Sequence, residues 1–177
     1  MKFTPTKIPG LFVLEIEYVE DERGFFARTW DDKVGEAATL VPAHMVQHST
    51  SFNPHKGTLR GMHFQKAPHA EAKIVRCTRG AMYDVAIDLR KDSLTYLQSV
   101  AVELTEDNRR GFYISEGFAH GFQSLTDNSE MLYMMSAYFV ESAGSGVRYN
   151  DPAFAIEWPE KPTFISERDT AWPDWQI

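Results

Sequence analysis

The sequence predicts an all-β protein, a jelly-roll barrel with a few short helices. Three observations point that way. Short runs alternate apolar and polar residues, as half-buried strands do. Turn residues punctuate them roughly every 8–12 residues, the spacing of sandwiches and barrels. Only one stretch, Asp31 to Leu40, has the capping residues and length of a helix.

Taken in order, Pro9-Gly10 forms a turn before a strand over Leu11 to Tyr18. The charged turn Asp21-Glu22-Arg23-Gly24 leads into an aromatic strand beginning at Phe25. Asp31 or Asp32 caps the helix, and Gly35 weakens it. His44 to Ser51 reads as a strand carrying polar groups, closed off by Pro54 and Gly57. Strands follow on both sides of a loop at Pro68, then a turn at Arg79-Gly80 and the strand AMYDVAIDL. Beyond the turn at Lys91-Asp92-Ser93 come TYLQSVAVEL, FYISEGFAHGFQSL and SEMLYMMSAYFV. From Glu141 onward Gly, Ser, Pro and Trp take over, which predicts loops with one helical turn. There is no solenoid repeat, low-complexity segment or linker, so the expectation is one domain over residues 1–177.

Composition narrows the function classes. Hydrophobic residues make up 43%, enough for a packed core, and no apolar run approaches the roughly 20 residues of a membrane span. The net charge of −7 supplies no field to attract nucleic acid, although a few local arginines can still hold a small anion. The N-terminus has no apolar core like that of a signal peptide, and the one cysteine, Cys77, has no disulfide partner. Both features predict a cytoplasmic location. Cys77 itself reads as a small core residue.

Chemistry concentrates in GTLRGMHFQKAPHAEAK, residues 57–73, where Arg60, His63, His69, Glu71 and Lys73 fall between two strands. Alternation puts Lys73, Val75 and Cys77 on one side of the second strand. A histidine base and a lysine converging inside a barrel suit proton abstraction beside a carbonyl. Such a C–H is a poor acid until charge reaching the oxygen is stabilised, a task for Lys73. Imidazole in general titrates near working pH, so a neutral histidine at position 63 can take the proton. His69, next to Pro68, reads as a surface residue. Taken singly, the others have plain explanations too: Tyr133 as core, Lys73 as a solvated strand residue, Asp169 as a helix cap and His120 as structural.

The ordered segments DERGFF, LRGMHFQ, KIVRCTRGAMYDVAIDLRKDS, EGFAHGF, MLY, YNDPAFAIEWP and ISERD resemble the dTDP-4-dehydrorhamnose 3,5-epimerase family over nearly the full length. The resemblance implies a cupin-type jelly roll, usually a homodimer, acting on a nucleotide-linked 4-keto-6-deoxyhexose with no metal and no cofactor. It implies His63 as base, oriented by Asp169, and Tyr133 as the acid on the opposite face of the sugar. Lys73 would stabilise the oxyanion, and His120 with Asp84 would form a supporting pair. Arg23 and Arg60 would contact diphosphate and sugar, Gln47 the nucleotide, and Phe26, Tyr138 and Phe139 would stack on the base. In the dimer, the strand over Leu11 to Tyr18 would complete the partner's sheet.

The chain departs from the family pattern at Gln47-His48-Ser49, where QDN is common, and at Arg28, Ser115 and Met134. The chemistry residues are kept while residues near the base differ. That leaves open an epimerase for a GDP-, CDP- or UDP-linked sugar, or one acting at a single carbon. Two further alternatives are a non-catalytic sugar-nucleotide-binding cupin and a metal-dependent cupin using His63, His69, Glu71 and His120.

Overall fold

Inward-facing side chains recur at every second position of a strand, so strands that enclose a core carry two distinct sequences, one per face. In the computed structural model, which describes residues 1–38, 40 and 42–176, this alternation builds two facing six-stranded sheets. The elements in chain order are β1 (Lys2–Pro5), β2 (Leu11–Glu15), β3 (Tyr18–Asp21), β4 (Gly24–Ala27), α1 (Asp32–Ala37) and β5 (Gln47–Asn53). Then come β6 (Thr58–Gln65), β7 (Lys73–Arg79), β8 (Ala81–Asp88), β9 (Ser99–Thr105), β10 (Gly111–Ile114), β11 (Phe118–Ser124) and β12 (Ser129–Met135). A 3₁₀ turn at Glu141–Ala143, β13 (Gly144–Gly146), β14 (Phe164–Ile165) and α2 (Glu167–Thr170) complete the chain.

One sheet runs β1-β2-β10-β7-β12-β5. The other runs β13-β6-β11-β8-β9, with β14 alongside β6. From β5 to β13 strands that are neighbours in sequence mostly lie in opposite sheets, β8 and β9 excepted, and the result is a jelly roll of the cupin type. Its interior is filled by Val75, Cys77, Met82, Ala86, Phe112, Phe118, Phe122 and Met131, all buried. Outward positions of the same strands build flanking cores. Ile74, Tyr113 and Met134 pack with Leu14 and Leu40, while Val85, Ile87 and Ala119 pack with Met62 and Phe154. Cys77 is a buried core thiol, as expected, and burial pushes its pKa up to about 11.

Several boundaries differ from expectation. The strand over Leu11 to Tyr18 breaks at Ile16-Glu17, ending β2 and starting a separate hairpin of β3 and β4. β2 is paired on both edges within its own chain, by β1 and β10, so it has no free edge to complete a partner's sheet. The helix is shorter than Asp31 to Leu40. Asp31 caps it, accepting from the Lys33 and Val34 N–H groups, and the helix ends at Ala37; Thr39 lies outside the described residues. Gly35 has a packing reason to be there, because a Cβ would meet the Trp30 ring at 2.5 Å. TYLQSVAVEL contributes only its second half to β9. FYISEGFAHGFQSL divides into β10 and β11 around Gly117, whose φ of +85° suits a turn. Among the described residues, no helix is long and apolar enough to cross a membrane.

Candidate active site

The barrel is closed by apolar side chains at one end and open at the other, where a cavity of about 840 Å³ remains. The walls come from both sheets. β5 contributes Gln47, Ser49 and Ser51, β7 contributes Lys73, and β12 contributes Tyr133. Opposite them stand Arg60 and His63 from β6 and His120 from β11, with Asp169 from α2.

Arg60 and His63 are three residues apart, so a regular strand would send them to opposite faces. A bulge resolves this. Along β11 the partner changes from His120↔His63 to Phe122↔Arg60, two residues opposing three, and this shift lets both side chains line the cavity. The sheet tolerates the kink because two glycines meet there. A Cβ on Gly61 (φ +134°) would strike Gly121 Cα at 2.5 Å, and one on Gly121 would lie 2.8 Å from the Arg60 carbonyl.

His63 donates from Nε2 to Asp169 Oδ1 at 2.6 Å, and the Gly61 N–H donates to Asp169 Oδ2 at 3.2 Å. With Nε2 committed to a carboxylate, Nδ1 carries the lone pair. Burial pushes the Asp169 carboxyl up, but the hydrogen bond and charge of His63, with the Gly61 and Ser166 groups, outweigh it and hold the group below its ordinary range. Ser166, rather than Asp169, caps α2, accepting from the Asp169 N–H. Asp169 is therefore the inward-facing residue of the helical turn.

Across the cavity, the Tyr133 phenol has Ser51 Oγ at 3.4 Å, and its ring meets the His120 ring edge-on with centroids 6.2 Å apart. Burial pushes its pKa up, so it holds its proton at any working pH, while the nearby Arg60 charge works the other way. His120 Nε2 reaches both oxygens of Asp84, at 3.0 and 2.9 Å, with both residues buried. Burial raises the Asp84 carboxyl, opposed by His120 and by the charge of Lys73. Lys73 Nζ lies 3.0 Å from Glu71 Oε1.

Of the residues expected at the site, His63, Tyr133, Asp169, Lys73, His120, Gln47, Arg60 and Phe139 line the cavity, and Asp84 stands behind His120. Gln47 Oε1 accepts from the Phe139 N–H at 3.0 Å. Tyr138 is exposed and outside the cavity lining. Arg23 and Phe26 do not line it; they lie on the β3–β4 hairpin, where Arg23 pairs with Asp21 and Phe26 is 81% exposed. Of the departures from the family pattern, Ser49 lines the cavity and the others do not. His48 alternates away from it, Met134 packs in a flanking core, and Arg28 pairs with Asp31 at 2.7 Å. Three of the four residues of the metal reading are separately engaged, His63 by Asp169, Glu71 by Lys73 and His120 by Asp84, and His69 lies outside the cavity lining.

Sequence reading passed over Arg168, Thr163 and Ser166, which also line the cavity. The signal was present in ISERD, where a serine three residues before an aspartate marks a helix start and turns Arg168 toward the same opening as Asp169.

A jelly roll with a histidine–aspartate pair, a phenol and a lysine around one cavity defines a class: barrels that move protons at a carbon beside a carbonyl. The family model described as dTDP-4-dehydrorhamnose 3,5-epimerase matches residues 5–176. A dTDP-4-dehydrorhamnose 3,5-epimerase of Salmonella typhimurium is 40% identical over 174 residues, covering 95% of this chain and 92% of that one. The crystal structure of the enzyme of that name from Elizabethkingia anophelis superposes with a TM-score of 0.95 at 36% identity, covering 99% and 96% of the two chains. A dTDP-6-deoxy-D-glucose-3,5-epimerase from Legionella pneumophila, solved with dTDP-4-keto-L-rhamnose, has a TM-score of 0.90 at 32% identity, covering 99% of each. The chain belongs to the dTDP-4-dehydrorhamnose 3,5-epimerase family, a family of isomerases.

Proposed function

We propose that this protein inverts the carbons flanking the ketone, C3 and C5, of a dTDP-linked 4-keto-6-deoxyhexose, as one jelly-roll epimerase domain over residues 1–177. His63 takes the proton through Nδ1, with Asp169 holding its tautomer. Lys73 meets the negative charge that arrives on the ketone oxygen, and Tyr133 returns a proton from the other side. The single observation that carries this reading is that His63 and Tyr133 stand on opposite sheets across one cavity. Inversion needs donor and acceptor on opposite faces of the ring. Binding alone needs neither, which disfavours a non-catalytic module. A phenol held in its protonated form by burial keeps its proton until a strongly basic carbon forms next to it. The His120–Asp84 pair supports the floor between them.

Arg60 and Arg168 are the two cavity cations available for a diphosphate, and Phe139 with Gln47 lies where a base can stack. The choice of dTDP over GDP, CDP or UDP is supported by the relatives, named as dTDP-sugar epimerases and one of them solved with dTDP-4-keto-L-rhamnose. Arg23 and Phe26 fit the reading through a second copy of the chain. Their hairpin pairs with no other strand among the described residues, and Tyr18, Val19, Phe25 and Phe26 on it are exposed. An isolated hairpin is marginal in water. Among the described residues β5, beside the cavity, pairs on one edge only. A homodimer that lays one copy's hairpin by the other's β5 answers both. The cytoplasm, where a lone buried thiol stays reduced, is the proposed location.

The test is incubation with dTDP-4-keto-6-deoxyglucose in D₂O, following the C3 and C5 sugar protons by NMR, with light scattering of the same preparation for its mass. Loss of both signals and a dimer mass are expected. Loss of one signal reduces the activity to a single centre, and faster exchange with a GDP-, CDP- or UDP-linked substrate overturns the choice of base. No exchange with any of the four refutes the epimerase reading, and a monomer refutes the shared site.

A further inference from the structure

One carboxylate in the cavity has no part in the chemistry above. Glu71 lies two residues before Lys73, its carboxylate 3.0 Å from the ammonium, and the two side chains are 12% and 10% exposed. Its other oxygen, Oε2, accepts from Gln65 Nε2 at 3.1 Å. Gln65 is itself fixed: the same amide nitrogen donates to the His69 and Tyr138 carbonyls, and its oxygen accepts from the Val140 N–H at 2.7 Å. Glu71 is thus anchored at one oxygen and offers the other to Lys73.

A lysine ammonium sits on a flexible four-carbon stem and has no preferred direction of its own, so in a recess its position is set by its acceptors. Three carboxylates frame the choice. Asp169 is engaged by His63, and Glu71 is in contact with Lys73. Asp84, deeper in the barrel and near enough to feel the lysine charge, is held by His120. Without Glu71 the ammonium would turn inward toward Asp84, away from where a sugar ketone can reach.

We propose that Glu71 is a positioning residue that holds the Lys73 ammonium at the substrate level of the cavity, with Gln65 tying that position to the segment 138–140 that carries Phe139. The inference rests on the reading of Lys73 as the group that meets the oxyanion. One of the three ammonium donors is spent on Glu71, leaving the others for the ketone oxygen. Because this acts on the enolate rather than on ground-state binding, its loss falls on kcat.

The test is a double-mutant cycle on the protein as purified, with thermal midpoints confirming folding. Glu71→Ala is expected to lower kcat roughly 10- to 100-fold, the scale of a misplaced catalytic group, with KM within about twofold. Glu71→Gln, which keeps an acceptor oxygen, restores most of that. In a Lys73→Ala background, Glu71→Ala costs nothing further, because there is no ammonium left to hold. Should Glu71→Ala fail to fold, Gln65→Ala takes its place in the cycle, with a smaller kcat loss that also vanishes without Lys73. Losses that simply add, or a single variant with undiminished kcat, overturn this inference alone. A Lys73→Ala enzyme with full turnover overturns the oxyanion reading and this inference together.

Discussion

The two ends of the barrel are made from the same strands and yet behave as different materials. β7 carries Lys73 at the cavity and Val75 and Cys77 in the core; β12 carries Tyr133 at the cavity and Met131 in the core. Inward direction is shared by all five residues. What differs is distance along the strand, and with it the supply of partners. In the closed end every inward group is apolar and needs only contact. In the open end the four groups central to the chemistry are each partnered: His63 with Asp169, His120 with Asp84, Lys73 with Glu71, Tyr133 with Ser51. The boundary runs through β11, where His120 sits between the inward-facing Phe118 and Phe122. A polar group can be set that deep because the Asp84 carboxylate, itself buried, answers it.

If the ends are separable, damage to each should read out in a different quantity. The largest effect is expected at the open end. His63→Asn should lower turnover by about 10²–10⁴-fold, the usual worth of a positioned base, while leaving the denaturation midpoint nearly unchanged. A large loss of stability there would mean that the His63–Asp169 pair is a structural fastener. The closed end should show the reverse. Phe112→Ala, at a fully buried ring in the barrel core, should cost about 3–5 kcal/mol in chemical denaturation while the folded fraction keeps its activity. Equal loss of activity per folded molecule would show that core and cavity are coupled.

The smallest effect concerns a polar cluster outside both ends. Asp88, at the end of β8, accepts from Arg90, Ser93 and Thr95. Burial pushes its carboxyl up, but these donors outweigh it and hold the pKa at about 2, below the ordinary 3.8. A carboxyl lowered in the folded state adds stability that is complete above its ordinary value and is lost as pH falls from there through about 2. Asp88→Asn should therefore flatten that part of the stability–pH curve, leaving turnover at neutral pH unaltered. An unchanged curve would place the acid sensitivity in another carboxyl.

How much could be read in advance follows the range of the interactions. Strand alternation is local, so the shared face of Lys73, Val75 and Cys77 was legible, as were a helix cap at Asp31 or Asp32 and the turns at Gly80 and Gly24. Where strands stop was less so. Nothing local in LFVLEIEY marks the break at Ile16-Glu17, because β2 stops opposite Lys2 and Gly111, where its antiparallel partners β1 and β10 begin. The departures at His48 and Met134 looked like changes to base recognition until pairing with β12 and the flanking core showed which way each side chain turns.

Residues in order were enough to determine an all-β barrel, an acidic chain without a membrane helix, and a cluster of chemistry around Arg60, His63 and Lys73. Motif order added the family and the candidate base, acid and oxyanion group. Only the tertiary structure decided how these meet. It brought Asp169 to His63 across 106 positions, put His63 and Tyr133 on opposing sheets, and left Arg23 and Phe26 on a hairpin outside their own chain's cavity. It also decided that Arg60 and His63 share a face, through a bulge made possible by two glycines on different strands. A bulge is a property of a strand pair, and a cavity is what two sheets leave unfilled, so neither is written in any one segment.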